Sequence, residues 1–267
     1  MEAISISITE LVVLAGFVSK KYFYGISDPF FGMEPNEILS ASESAKPLLD
    51  KKGLISYNFD GTIEITEKGQ ELIDRTLNAS VYLFFDGLID GDKQDRILYY
   101  KKADKETLCL YQQTDINIKE GTLSDCINCV RKIYFDKNVN SKKVDTKFIC
   151  KIDSLKEIVE FIDEQKDEMS LIDLKELSKK KLINLGCDNE IANIIIDGLF
   201  RSCSYLSFMA GSVKERNLKS SQFIITPNGI LCMQTLNNIE NEVSYQLISS
   251  NDVDVMIKDV VSSLEVS

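Results

Sequence analysis

Ile195–Phe208, IIDGLFRSCSYLSF, decides the fold, because much of it already stands at Leu72–Phe85 as LIDRTLNASVYLFF. One constant offset carries Ile73-Asp74 onto Ile196-Asp197, Tyr82-Leu83 onto Tyr205-Leu206, and Phe85 onto Phe208. The same offset carries Leu108-Cys109 onto Leu231-Cys232 and Tyr100 onto Phe223. A repeated block of this kind is read before anything else, because it fixes the unit from which the fold is built.

Around these blocks the two copies share an order of elements. In the first, Glu10–Phe17 reads as a short apolar helix, followed by a loop rich in Phe and Gly, YFYGISDPFFGMEP (Tyr22–Pro35). Ser42–Lys51 reads as a helix with Gly53 as its stop. Ile55 and Tyr57 alternate with polar residues, Asp60-Gly61 makes a hairpin turn, and Ile63 and Ile65 alternate on the return. Thr66 caps the next helix, and from Tyr82 the apolar spacing changes to that of strands: VYLFFDG, RILYY, TLCLYQQ and DINIK. A helix opens near Ser124.

The second copy retraces this path. FICKI (Phe148–Ile152) reads as an added strand, and Ser154-Leu155-Lys156-Glu157 as a capping box. Ser170–Leu182 is a helix, Gly186 ends it, and Asp188 caps the next. The strands CSYLSFMAG, SQFIIT, ILCMQTL and EVSYQLI follow, and Asp252 caps a last helix with Val253, Ile257, Val260 and Leu264 on its apolar face. The expected fold is α+β: a quasi-two-fold duplicated module of antiparallel β-meanders flanked by helices. Residues 1–136 form the first subdomain, 137–153 a linker and 154–267 the second subdomain. Each meander has an apolar face to hide, and the two can meet across a pseudo-two-fold.

Composition excludes several classes of function. The chain has 267 residues and no histidine, which removes the commonest general base and the commonest metal ligand. Cys126 and Cys129 form a lone C-x-x-C with no second pair at metal spacing, so a helix-face role is expected and no metal site. Seven cysteines in apolar company read as buried reduced thiols. No glycine-rich phosphate loop occurs, and DGLIDGD (Asp86–Asp92) is too acidic to cradle phosphate. No enzyme activity and no cofactor is expected. A net charge of −11 disfavours nucleic acid as a partner. No apolar run reaches membrane-spanning length, and Glu2 and Glu10 break the signal-peptide pattern, so a cytoplasmic protein without membrane contact is expected.

With AKPLLDKKGLI (Ala45–Ile55), ASVYLFFDG (Ala79–Gly87), FIITPNGILCMQTLNN (Phe223–Asn238) and DVDVMIKDVVSSL (Asp252–Leu264) in this order, the sequence resembles the EspG family. These are cytosolic chaperones of type VII (ESX) secretion, and Tyr82–Phe85 and Phe223–Gln234 carry most of the likeness. The resemblance implies a quasi-two-fold α+β body that binds the exposed end of a helical-hairpin secreted protein and keeps it soluble. Mycobacterial members hold PE–PPE pairs. This chain departs from them in its wing-like start and its bias toward Lys, Asn and Ile, which suggests a low-GC Gram-positive bacterium and a client of the WXG or LXG type.

Leu88, Ile89, Met209 and Val213 are the candidate partner-binding residues, being apolar at strand ends and loops. For each alone, ordinary loop anchoring is the competing reading. The alternative function is a winged-helix transcription regulator, with Ser42–Lys51 as recognition helix and Ile55–Ile65 as wing. The acidic character of that helix until its end speaks against it. The oligomeric state is left open.

Overall fold

Strands β4 (Val81–Ile89) and β10 (Ser204–Ser212) lie side by side, antiparallel, at the middle of one large sheet. This computed structural model describes residues 2–19, 24–89, 92–93, 96–112, 114–135, 147–200, 203–212, 218–237 and 241–265. Phe85 faces Phe208 directly across the central ladder. The repeated block of the sequence therefore pairs with itself, and the position that pairs with its own counterpart is this phenylalanine.

From that centre the strand order is mirrored. On one side β4 is followed by β6 (Ile97–Lys102), β7 (Lys105–Gln112), β8 (Asp115–Glu120) and β1 (Ile4–Ser7). On the other, β10 is followed by β11 (Lys219–Thr226), β12 (Gly229–Asn237), β13 (Glu242–Ile248) and β9 (Lys147–Lys151). A short β5 (Asp92–Lys93) pairs with the end of β4, and β2 (Ile55–Tyr57) with β3 (Ile63–Ile65) makes a separate hairpin. The meanders thus join edge to edge in one continuous sheet.

Helices cover both faces. On one face, α1 (Ile8–Phe17), α2 (Pro35–Lys51) and α3 (Glu67–Thr76) pack on the first half around Leu14, Leu49, Leu72 and Tyr100. On the same face of the second half, α6 (Leu171–Asn184) and α7 (Asn189–Leu199) pack around Leu182, Ile195 and Leu231, with α5 (Ile152–Gln165) beside them. The opposite face is common to both halves. There α4 (Leu123–Tyr134) and α8 (Ser250–Glu265) lie over Phe85, Phe208, Phe223 and Tyr99. The ring centroids of Phe85 and Phe208 are 5.9 Å apart, and those of Phe208 and Phe223 6.0 Å. Each such buried ring contributes roughly 1.5–3 kcal/mol. Arg131 of α4 bridges to Asp254 of α8 at 2.6 Å, tying the two helices together.

Local chemistry sets most element boundaries. Thr66 accepts from the Gly69 N–H, Ser170 from Asp173, and Asp188 from Glu190, as expected of N-caps. Five expectations are corrected. The last helix is capped by Ser249, whose hydroxyl accepts from the Asp252 N–H while the Asp252 carboxylate accepts from the Ser249 N–H. Ser154 caps nothing, because α5 opens earlier, at Ile152, straight out of β9. Residues 147–153 are accordingly not linker: Lys147–Lys151 pair with β13 at the sheet edge, Cys150 opposite Val243. A matching edge strand, β1, precedes α1, which starts at Ile8 and not at Glu10. Helix α2 also starts early, with Pro35 in its first turn, where a missing N–H costs nothing.

The constant offset fails outside the central strands. Tyr82 pairs with Tyr100, and Tyr205 pairs with Ile224, so Ile224 and not Phe223 stands where Tyr100 stands. Tyr99 pairs with Leu108, and Phe223 with Cys232, so the counterpart of Leu108 is Cys232 and not Leu231. Leu108 faces the common core, whereas Leu231 faces the core under α7. One extra residue lies between the paired positions Phe208 and Ser221 compared with Phe85 and Ile97. Because side chains alternate with period two, that single residue moves every later identity to the other face.

Candidate functional site

Among the described residues, a strip of sheet between the two helical flanks is left uncovered. On β4 the residues pointing to this strip are Asp86 and Leu88, on β10 Ser207 and Met209, and on β11 Gln222. Their neighbours Phe85, Leu206, Phe208 and Phe223 point the other way, into the common core. The strip holds a cleft of about 430 Å³, lined by Asp86, Leu88, Tyr205, Ser207 and Gln222, with the backbone of Gly87 as part of its floor. A Cβ at Gly87 would collide with the Tyr205 carbonyl and with the Tyr134 ring on the common-core side, so glycine lets β4, β10 and α4 approach closely behind the cleft.

The rim is tied down by polar contacts. Tyr205 donates its hydroxyl to the Gly198 carbonyl at 2.5 Å, leaning its ring on the end of α7. Ser207 donates to the Asp86 carbonyl at 3.3 Å. Arg96 pairs with the Asp86 carboxylate at 3.4 Å and lies over the Phe84 ring at 5.3 Å. Lys175 lies over the ring of Phe200 at 5.4 Å, where α6 meets the end of α7. The second flank also carries exposed apolar side chains, Leu171 at 60% and Ile172 at 76% exposure.

Of the residues singled out in the sequence, Leu88 and Met209 lie on the open strip, each more than a third exposed. Leu88 pairs with Tyr205 and Met209 with Phe84, which sets the two roughly 13 Å apart along the strands. Ile89 lies on the other face, packed against the common core. Val213 falls outside the described residues. Asp86, Ser207 and Gln222 do not stand out in the sequence. The available signal is Ser207, a polar residue at the place where the first copy has Phe84.

Cys126 is buried on α4 and Cys129 half-buried beside it; burial pushes the Cys126 thiol well up. Among the described residues no three His, Cys, Asp or Glu side chains group as a metal site, and no helix is long and apolar enough to cross a membrane. Helix α2 exposes Glu37, Glu43 and Asp50 beside Lys51, which is no surface for phosphate.

No family model and no curated protein matches the sequence. Among solved structures, the chain is similar to the Mycobacterium tuberculosis type VII secretion system chaperone EspG5, determined in complex with the PE25-PPE41 dimer. The TM-score is 0.64 at 9% identity, over 97% of this chain and 95% of that one. At that identity the likeness establishes the EspG-like fold.

Proposed function

We propose that this chain is a cytoplasmic chaperone of type VII secretion that holds a helical-hairpin protein of the WXG or LXG type on the open strip of its sheet. The observation that carries the reading is the uncovered strip between two helical flanks, in a fold shared with a type VII secretion system chaperone solved in complex with a protein dimer. A helix is about 10–12 Å across, a size that suits a bed two strands wide between helical walls. Leu88 and Met209, each more than a third exposed, supply apolar anchors. Docking of an amphipathic helix in such a groove is a recurring mode of recognition, with affinity concentrated in a few buried anchors. The mirrored strand order supports reading the chain as an internal duplication.

Co-expression with each small helical protein encoded beside the gene is the deciding experiment. A stable complex is expected with one of them, and Leu88→Asp with Met209→Asp should weaken it while leaving circular dichroism unchanged. Failure to capture any of them ends the chaperone reading. The hairpin β2–β3 after α2 favours the regulator reading instead; sequence-specific retention of genomic fragments in a low-salt gel shift would support it.

A further inference from the structure

The mirrored sheet presents two corresponding places on the open face, and among the described residues only one is open. In the first half the cross-strand pair Phe84–Leu98 occupies the place held in the second half by Ser207–Gln222. Phe84 and Leu98 are buried, whereas Gln222 is exposed and Ser207 half-buried.

What covers the first place is a segment of the chain itself. Tyr24 stacks on Tyr82 with centroids 4.0 Å apart and planes 9° from parallel. The Tyr100 hydroxyl donates to the Tyr24 carbonyl at 2.7 Å. Gly25, at φ +80°, lies so close that a Cβ there would meet Leu98 Cδ2 at 2.5 Å and Phe84 Cδ2 at 3.2 Å. Arg96 donates to the Ser27 hydroxyl at 3.2 Å, and Ile26 and Phe30 pack on the core beneath. This segment belongs to the connection between α1 and α2, residues 18–34. The corresponding connection between α5 and α6 is only residues 166–170, too short to reach across its half of the sheet.

We propose that residues 24–31 are a built-in plug filling the second of two corresponding client clefts, so that the chain offers one client site where its backbone provides two. The valency of the complex rests on the proposed function; the plug does not. Its chemistry is that of a ligand: a flat aromatic ring stacked on a strand tyrosine, a glycine pressed to the floor, and apolar anchors on either side. The central cross-strand pair of the plugged place, Phe84–Leu98, is apolar and that of the open place, Ser207–Gln222, is polar, as expected if one is permanently covered and the other meets water between clients.

The test uses the full chain carrying Gly25→Val. A β-branched residue cannot hold that φ or share space with Leu98, so the plug should lift. Anilinonaphthalene sulfonate fluorescence should rise about twofold or more with near-ultraviolet circular dichroism retained, which separates an opened cleft from a loosened core. A synthetic peptide of residues 24–33 should return the dye signal to baseline. In native mass spectra of the complex formed with the captured neighbour, the wild type should carry one client and the variant two. If the variant loses its near-ultraviolet signal, the double substitution Tyr24→Ala with Ser27→Ala, which removes the stack and one hydrogen bond only, is read in the same way. An unchanged dye signal in a folded variant overturns the proposal. So does a rise that the peptide does not reverse, or a single client on the opened variant. If the wild type captures no client, the chaperone reading fails while the dye and peptide measurements still decide the plug.

Discussion

Phe84–Leu98 and Ser207–Gln222 stand at corresponding places about one axis, yet the first pair is sealed under Tyr24 and Gly25 while the second floors a cleft. The backbone beneath them is the same ladder. The difference lies in the lengths of two loops and in the polarity of two residues, and it teaches that a symmetric scaffold acquires one-sided function through what covers it.

Four measurements test this asymmetry. The largest effect is expected at the axis, where Phe85→Ala and Phe208→Ala should each cost about 3–5 kcal/mol in urea unfolding. Near-equal losses would show the two halves share one core equally; tolerance of either would show that core to be lopsided. Ile89→Asp should destabilise by about 2 kcal/mol because it faces the common core, whereas Leu88→Asp, on the open strip, should stay within about 0.5 kcal/mol. Thermal unfolding of the two variants side by side tests which face each residue serves.

Next, Ser207→Phe with Gln222→Leu writes the first half's floor into the second. Client capture should fall about tenfold, equivalent to about 1.4 kcal/mol, with thermal unfolding unchanged. Undiminished capture would move the client elsewhere. The smallest effect concerns the thiols of the second half. Burial pushes Cys150 up to about 11, and Cys187 and Cys232 up to about 12, from an ordinary 9.0. Their folded-state values are raised, so the stability they contribute is complete below pH 9 and is lost as pH climbs toward 12. At pH 9.5 the loss should be below about 1 kcal/mol per thiol, and replacing Cys187 and Cys232 with Ala should flatten the alkaline limb of the stability curve.

Much of the fold is legible in the chain's local chemistry. Thr66, Ser170 and Asp188 cap helices because a short polar oxygen beside an apolar run satisfies backbone donors three residues on or fewer. The strand run VYLFFDG and the turn at Asn228-Gly229 declare themselves in the same way, by local spacing. Edge strand β1 stays hidden because four residues with one buried face look like the approach to a helix, whereas FICKI, the core of β9, already reads as a strand. Half of the open strip is legible through the apolar Leu88 and Met209. Its polar members are not, since an exposed Ser or Gln in a strand reads as ordinary solvent alternation.

Capping, turn chemistry and apolar period act over a few residues, so the order of elements and the kinship of Tyr82–Phe85 with Tyr205–Phe208 follow from the chain as written. Which strand neighbours which, and in which register, depends on partners more than a hundred residues away, as with Phe85 and Phe208. A slip of one residue between β10 and β11 sends Leu231 to the face opposite Leu108, and no local signal marks it. The burial of Phe84 beneath Tyr24–Phe31, and the opening of the cleft at Ser207, are likewise decided in three dimensions: each is a contest for the same sheet surface between segments that meet only after folding.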